Sequence, residues 1–182
     1  LKNLNGARLI CEQIGVSPTA FYEAIATFKG AAKRLELVAS SESSLLYKDF
    51  AHAPSKVNAT TQALKNQFPN RKLVACLELH TFSSLNPAFL PEYEGTLNLA
   101  DGAIVYLSEH AREIKRMDRI EESVVQTYFK HPNLKVIRDA ETLKQALLDQ
   151  TWSNANLLMM SSGTFDGLDL PALGKEMGLL SV

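Results

Sequence analysis

Four short runs of the sequence are apolar almost throughout, and helical segments separate them: Lys72 to Leu79, Ala103 to Leu107, Leu134 to Ile137 and Leu157 to Met160. A strand with one face in water alternates apolar and polar residues. An unbroken apolar run of this length belongs to a strand covered on both faces, which is the pattern of a parallel sheet between two layers of helix. The intervening segments supply those layers: Ser55 to Phe68, with Val57, Leu64 and Phe68 on one face; a stretch through Phe89 to Leu99 broken at Pro91; Asp118 to Phe129; Glu141 to Leu148; and a short helix near Ala172 to Met177. Ahead of them, Leu35 to Val38 and Leu45 to Tyr47 flank the polar turn Ser40 to Ser44 and predict an antiparallel hairpin. The expected fold is α/β, a Rossmann-like, doubly wound, mostly parallel sheet that starts with an antiparallel hairpin.

Two helices precede the sheet. Leu4, Ala7, Leu9, Ile10, Cys11 and Ile14 recur at helical spacing up to the stop at Gly15, and Ser17-Pro18 opens a second helix with the stripe Phe21, Ala24, Ile25 and Phe28. Residues 1–30 therefore read as a short helical appendix and residues 31–182 as the α/β domain. A chain of 182 residues buries about 70% of its unfolded surface and needs neither metal nor crosslink to hold a core. Cys11 and Cys76 stand far apart without ligand spacing and read as reduced core thiols. The formal charge of −1 supplies no global field for nucleic acid or anionic lipid, and no apolar run approaches the ~20 residues of a membrane span. With no signal peptide visible, a cytoplasmic protein is expected, without nucleic-acid or membrane partners. The chain opens at Leu1 inside what reads as a running helix, so a piece of a longer protein is expected.

In an open parallel sheet, ligands sit beyond the carboxyl ends of the strands. Polar residues collect there: Lys48 to Pro54, Glu78 to Ser84, Ser108 to His110 and Ser161 to Gly167, with three of the four histidines among them. Each has a structural reading too. Asp49 can cap a turn, His52 and His80 can be half-buried loop residues, and Ser161 to Gly163 can be a strand-to-helix turn. His131 before Pro132 reads as loop. Their shared position on one rim favours a site. No GxxxxGK[ST], GxGxxG, HExxH or GxSxG pattern occurs, which argues against a self-contained NTPase, dehydrogenase, zinc protease or serine hydrolase. A non-catalytic α/β module that holds a nucleotide or a protein on the same rim is the alternative from another class.

Three segments in order, Phe28-Lys29-Gly30-Ala31-Ala32-Lys33-Arg34-Leu35-Glu36, Asp49-Phe50-Ala51-His52-Ala53-Pro54 and Leu158 to Gly167, resemble the carboxyl-terminal part of the Mur ligases. The pattern is most similar to the branch that recycles the murein tripeptide L-Ala-γ-D-Glu-meso-diaminopimelate, with the L-alanine-adding branch as near relative. The resemblance implies an ATP-dependent ligation, with Mg²⁺, of an amino acid or peptide amine to UDP-N-acetylmuramate. ATP and Mg²⁺ would be bound mainly by a central domain outside this chain, to which residues 1–30 would be the tail, and a further N-terminal domain would hold the UDP-sugar. This piece alone would be inactive.

Carried over by position, Arg34 would contact ATP phosphates on closure about a hinge near Phe28 to Arg34, and Asp49 the ribose hydroxyls. His52 would be the catalytic histidine that orients nucleotide or amine. His80, Ser161, Ser162 and Gly163 would receive the amine substrate, and no metal ligand is expected here. His80 stands where the recycling branch usually has arginine, and Lys48 where the family usually has a second acid.

Overall fold

The computed structural model describes residues 2–28 and 34–181, and the residues form two compact units, Leu1–Ala31 and Ala32–Val182. In the first, α1 (Lys2–Gln13) is followed by α2 (Pro18–Ala26). Pro18 at the first turn needs no partner for its nitrogen, and the Ser17 hydroxyl accepts from the Ala20 N–H at 3.2 Å, so the start of α2 is set by sequence as expected. Its end is not: Thr27 caps it, and Phe28 falls beyond the stripe assigned to it. Most of the expected hinge, Lys29 to Lys33, lies outside the described residues.

The second unit is a seven-stranded sheet. Its strands are β1 (Glu36–Ser40), β2 (Leu45–Asp49), β3 (Lys72–Leu79), β4 (Gly102–Leu107), β5 (Leu134–Ile137), β6 (Ala155–Met160) and β7 (Leu180–Ser181), in the order β5-β4-β3-β6-β2-β1-β7. The five from β5 to β2 are parallel neighbours, β1 is antiparallel to β2 as the hairpin predicted, and β7 pairs antiparallel with β1. Its helices are α3 (Pro54–Gln67), α4 (Glu109–Ile114), α5 (Glu122–Phe129), α6 (Ala140–Leu148) and α7 (Leu170–Glu176). Because strand side chains alternate, two cores result. Leu73, Ala75 and Leu77 pack with Val57 and Leu64 of α3 and Val125 and Phe129 of α5, while Val74 and Cys76 pack with Leu143 and Leu147 of α6 and Leu173 of α7.

Three local expectations fail for identifiable reasons. The stretch read as a broken helix through Phe89 is a 3₁₀ segment, Pro87–Tyr93, because Pro91 has no N–H to continue an α-helix. The helix expected from Asp118 starts only at Glu122: Arg112 and Arg138 donate to the carbonyls of Met117 and Ile120 and hold the preceding residues as a loop. The two-residue β7 was not foreseen, being too short to show a period, and the charged helix start expected near Ala111 is the six-residue α4. Cys11 is half-buried rather than core, whereas Cys76 is fully buried, and burial, with the charge of Glu78, pushes its thiol up so that it stays protonated. Among the described residues no helix is long and apolar enough to cross a membrane.

Candidate ligand-binding site

The chain runs from β3 outward to β4 and β5, then returns to lay β6 between β3 and β2. That reversal leaves a crevice beyond the carboxyl ends of β3, β6 and β2, the place where open α/β sheets take ligands. Register brings Asp49 beside Met160, and Leu77 beside Met160 from the other side, so Glu78 comes level with Ser161.

Glu78 organises this level. It is only 1% exposed, the one charge in a strand buried from Leu73 onward. Its Oε2 accepts from the Ser161 hydroxyl and, at 2.9 Å, from the Phe165 N–H, so the loop after β6 is wrapped onto one carboxylate oxygen. The Ser161 hydroxyl in turn accepts from the Gly163 N–H at 2.6 Å. Gly163 is required by space: a Cβ there would stand 2.7 Å from His80 Cδ2 and 2.8 Å from Glu78 Oε2. Glu78 Oε1 and Ser162 Oγ are buried with no protein partner.

Next to it, Asp166 crosses to β4. Its Oδ2 accepts from the Tyr106 hydroxyl and its Oδ1 from the Ser108 hydroxyl, both at 2.6 Å. Burial and the bond to Asp166 push the Tyr106 phenol up, which keeps it a donor. Ser108 also accepts from the Ala111 N–H at 2.9 Å and caps α4.

On the β2 side, Asp49 is more committed than its sequence role suggested. Its Oδ2 accepts from the Leu35 N–H at 2.6 Å and its Oδ1 from the Ala51 N–H at 2.7 Å. The carboxylate thus ties the end of β2 to the residue after Arg34, where Leu35 has a φ of 44°. Arg34 itself is exposed. His52 has its Nδ1 2.9 Å from the Phe50 carbonyl, which can only accept, so Nδ1 carries the hydrogen of that bond. The His52 carbonyl is anchored by the Tyr93 hydroxyl at 2.6 Å, whose phenol burial pushes up to about 12. Lys48 pairs with Glu36 across the hairpin at 2.9 Å.

Two cavities open on this rim. One of about 260 Å³ lies at the ends of β2 and β6 and has Asp49, Ser161 and Gly163 in its walls. The other, about 450 Å³, has Glu78, His80, His110, Lys115, Thr164 and Asp166. Four of the predicted residues, Asp49, Ser161, Gly163 and His80, therefore come together, and Ser162 stands beside them. Arg34 and His52 line neither cavity. Glu78 and Asp166 fall in the polar segments named from the sequence but were not singled out as site residues. The signal for Glu78 was a lone acid inside a strand otherwise apolar, since such charges are rarely buried without a task. Among the described residues no group of three or more His, Cys, Asp or Glu side chains is placed to hold a metal ion.

An open, mostly parallel sheet between layers of helix, with polar side chains converging at its switch point, defines a Rossmann-like α/β domain. Residues 33–163 match the family described as Mur ligase, glutamate ligase domain, and the chain belongs to that family. It is 36% identical over 111 residues to the UDP-N-acetylmuramate–L-alanine ligase of Caldicellulosiruptor bescii, covering 61% of this chain and 24% of that protein. To the enzyme of the same name from Lactococcus lactis it is 32% identical over 108 residues, 58% of this chain and 24% of the relative. The chain thus spans about a quarter of the length of these relatives. The fold is shared with a murein peptide ligase from Psychrobacter arcticus (TM-score 0.65, 20% identity, 97% of this chain, 36% of the other). It is shared equally with the UDP-N-acetylmuramate–alanine ligase of Thermotoga maritima (TM-score 0.69, 16% identity, 97% and 36%). A further neighbour, a ligase of Thermotoga maritima solved in complex with ADP, has a TM-score of 0.59 at 17% identity, over 93% of this chain and 34% of that one.

Proposed function

We propose that this chain is the carboxyl-terminal domain of a cytoplasmic ligase that joins an amine to the muramyl carboxylate of UDP-N-acetylmuramate at the expense of ATP. Residues 1–30 would close the central ATPase domain of the same protein. The polar rim at the switch point carries this reading: in a chain of this family it gives the incoming amine a built seat opposite the activated carboxylate. ATP with Mg²⁺, held mainly by the central domain, supplies phosphoryl activation. The chain's own part is to bind and orient. Arg34 is exposed and suited to phosphate oxygens. Asp49, committed to two backbone amides, acts first by holding the Arg34–Leu35 junction, and reaches ribose only through lone pairs left over. His52, its Nδ1 bonded to the Phe50 carbonyl, offers its Nε2.

The amine we assign is the tripeptide L-Ala-γ-D-Glu-meso-diaminopimelate. The cavity of about 450 Å³ falls in the ~300–1,000 Å³ range of sites for drug-sized ligands, several times what a six-heavy-atom amino acid fills. L-Alanine is the second reading, favoured by the reaction named for the relatives at 36% and 32% identity. The test is phosphate release by the full-length protein given ATP, UDP-N-acetylmuramate and either amine. Faster release with the tripeptide is expected; faster release with L-alanine selects the second reading, and no amine-dependent release overturns both. His52→Ala is expected to slow ligation on the order of 10²-fold with UDP-sugar binding intact.

A further inference from the structure

The loop between β2 and α3 carries His52 and is pinned peptide by peptide. Upstream, Asp49 Oδ1 accepts from the Ala51 N–H at 2.7 Å; downstream, the Ala53 carbonyl accepts from the Lys56 and Val57 N–H groups at 2.9 and 3.0 Å. Ala53 opens α3 without a side-chain cap of its own. Between these pins the His52 carbonyl accepts from the Tyr93 hydroxyl at 2.6 Å, and that bond reaches over from the 3₁₀ segment, 41 positions along the chain.

Tyr93 is only 1% exposed, its ring stacked on Phe129 at 5.2 Å and 12° and met edge-on by Phe89 at 5.9 Å. A phenylalanine would fill the same slot and leave no polar atom to satisfy. Among the described residues the hydroxyl's one hydrogen bond goes to His52, and burial pushes the phenol up to about 12, so it stays a donor at neutral pH. The His52 ring is oriented by Phe50, through its carbonyl at 2.9 Å from Nδ1 and an edge-on ring contact at 5.3 Å. Phe50 belongs to the same loop and travels with it, whereas Tyr93 is set in the core. Phe50 therefore fixes how the imidazole is turned, and Tyr93 fixes where its peptide stands.

We propose that Tyr93 is a positioning residue for His52, its hydroxyl holding the peptide from which the imidazole projects so that Nε2 is presented at one place to the incoming nucleotide or amine. The proposal rests on the role given to His52 above and deepens it. Tyr93 acts through His52 alone, and geometry of this kind enters the rate because small misplacements of an orienting group are costly.

Wild type, Tyr93→Phe, His52→Ala and the double variant of the full-length protein are compared in the phosphate-release assay, with melting curves for each and NMR signals of the His52 ring for the first two. Tyr93→Phe is expected to lower kcat about tenfold, to leave KM for UDP-N-acetylmuramate unchanged, to shift the His52 ring signals, and to add nothing in the His52→Ala background. A hydroxyl that only stabilised the fold would slow both backgrounds alike. Full speed in Tyr93→Phe, or equal slowing with and without His52, overturns the proposal and leaves the ligase reading standing. No amine-dependent release by wild type, or undiminished release by His52→Ala, overturns the functional reading instead; the ring signals then decide whether Tyr93 holds the histidine, and unmoved signals overturn that as well. If Tyr93→Phe does not fold, Phe89→Leu, which loosens the ring without removing its hydroxyl, takes its place under the same criteria, with a smaller loss of kcat expected.

Discussion

Single carboxylates fix much of this domain, and they differ in how visible they were. Asp49 stood in a recognisable motif, yet its bonds to Leu35 and Ala51 depend on which strand end folds beside which, and no local pattern encodes that. Glu78 could be suspected from its apolar surroundings, but its donors come from residues more than eighty positions away. Asp101 shows the same economy at the opposite end of the sheet, where its Oδ2 accepts from Lys65 Nζ and from the Leu73 N–H, each at 2.8 Å. Burial pushes this carboxyl up, but the Lys65 and Leu73 hydrogen bonds and the charges of Lys65 and Lys72 together hold it below its ordinary value. A carboxyl lowered in the folded state stabilises the fold above its unfolded value and loses that contribution as pH falls through the lowered one. Asp101→Asn is therefore expected to lower the melting temperature at neutral pH, with the gap to wild type closing below ~pH 4. A gap that stays constant across an acid series of melting curves would show that the charge contributes nothing.

Elements with a long apolar signal were legible: β3, β4, β5, β6, α3 and α6 lie where periodicity put them, and the antiparallel hairpin followed from its turn. Two short pieces were not, because the 3₁₀ segment and β7 owe their existence to a proline and edge pairing rather than to a stripe. The contact of α7 with β1 is an element-scale feature with a sharp test. Gly174 lies buried in the middle of α7, and a Cβ there would come within 2.7 Å of the Ala39 Cβ and 3.4 Å of Leu46 Cδ2. Replacing a helical glycine by alanine ordinarily gains about 0.5–1 kcal/mol. Here the neighbour is a methyl group on a strand that cannot swing aside, and overpacking of that kind costs about 1–3 kcal/mol. The clash wins, so Gly174→Ala is expected to destabilise the domain in denaturant titration; a more stable variant would mean that α7 rides free of the sheet.

At the scale of the whole molecule, the two units have separate internal contacts, and the sheet with both of its cores belongs to the second. A polypeptide of residues 32–182 is expected to unfold in one cooperative transition near the melting temperature of the full chain; a drop of more than a few degrees, or a broad multiphase transition by calorimetry, would show that the helical unit is part of the fold. The position of β6 also sets a timetable. β2 and β3 are consecutive in the chain but never touch, because β6 lies between them. While a ribosome makes this protein at ~5–20 residues per second, both strands emerge with an unpaired inner edge and wait several seconds for the segment that joins them. The hairpin and the outer strands can form early, but the sheet closes only when Ala155–Met160 arrives, and the loop that seats on Glu78 follows directly behind it. Until then the nascent chain has two open sheet edges and is exposed to chaperones, proteases and its own neighbours, and the crevice between them is built only after β1 to β5 have all emerged.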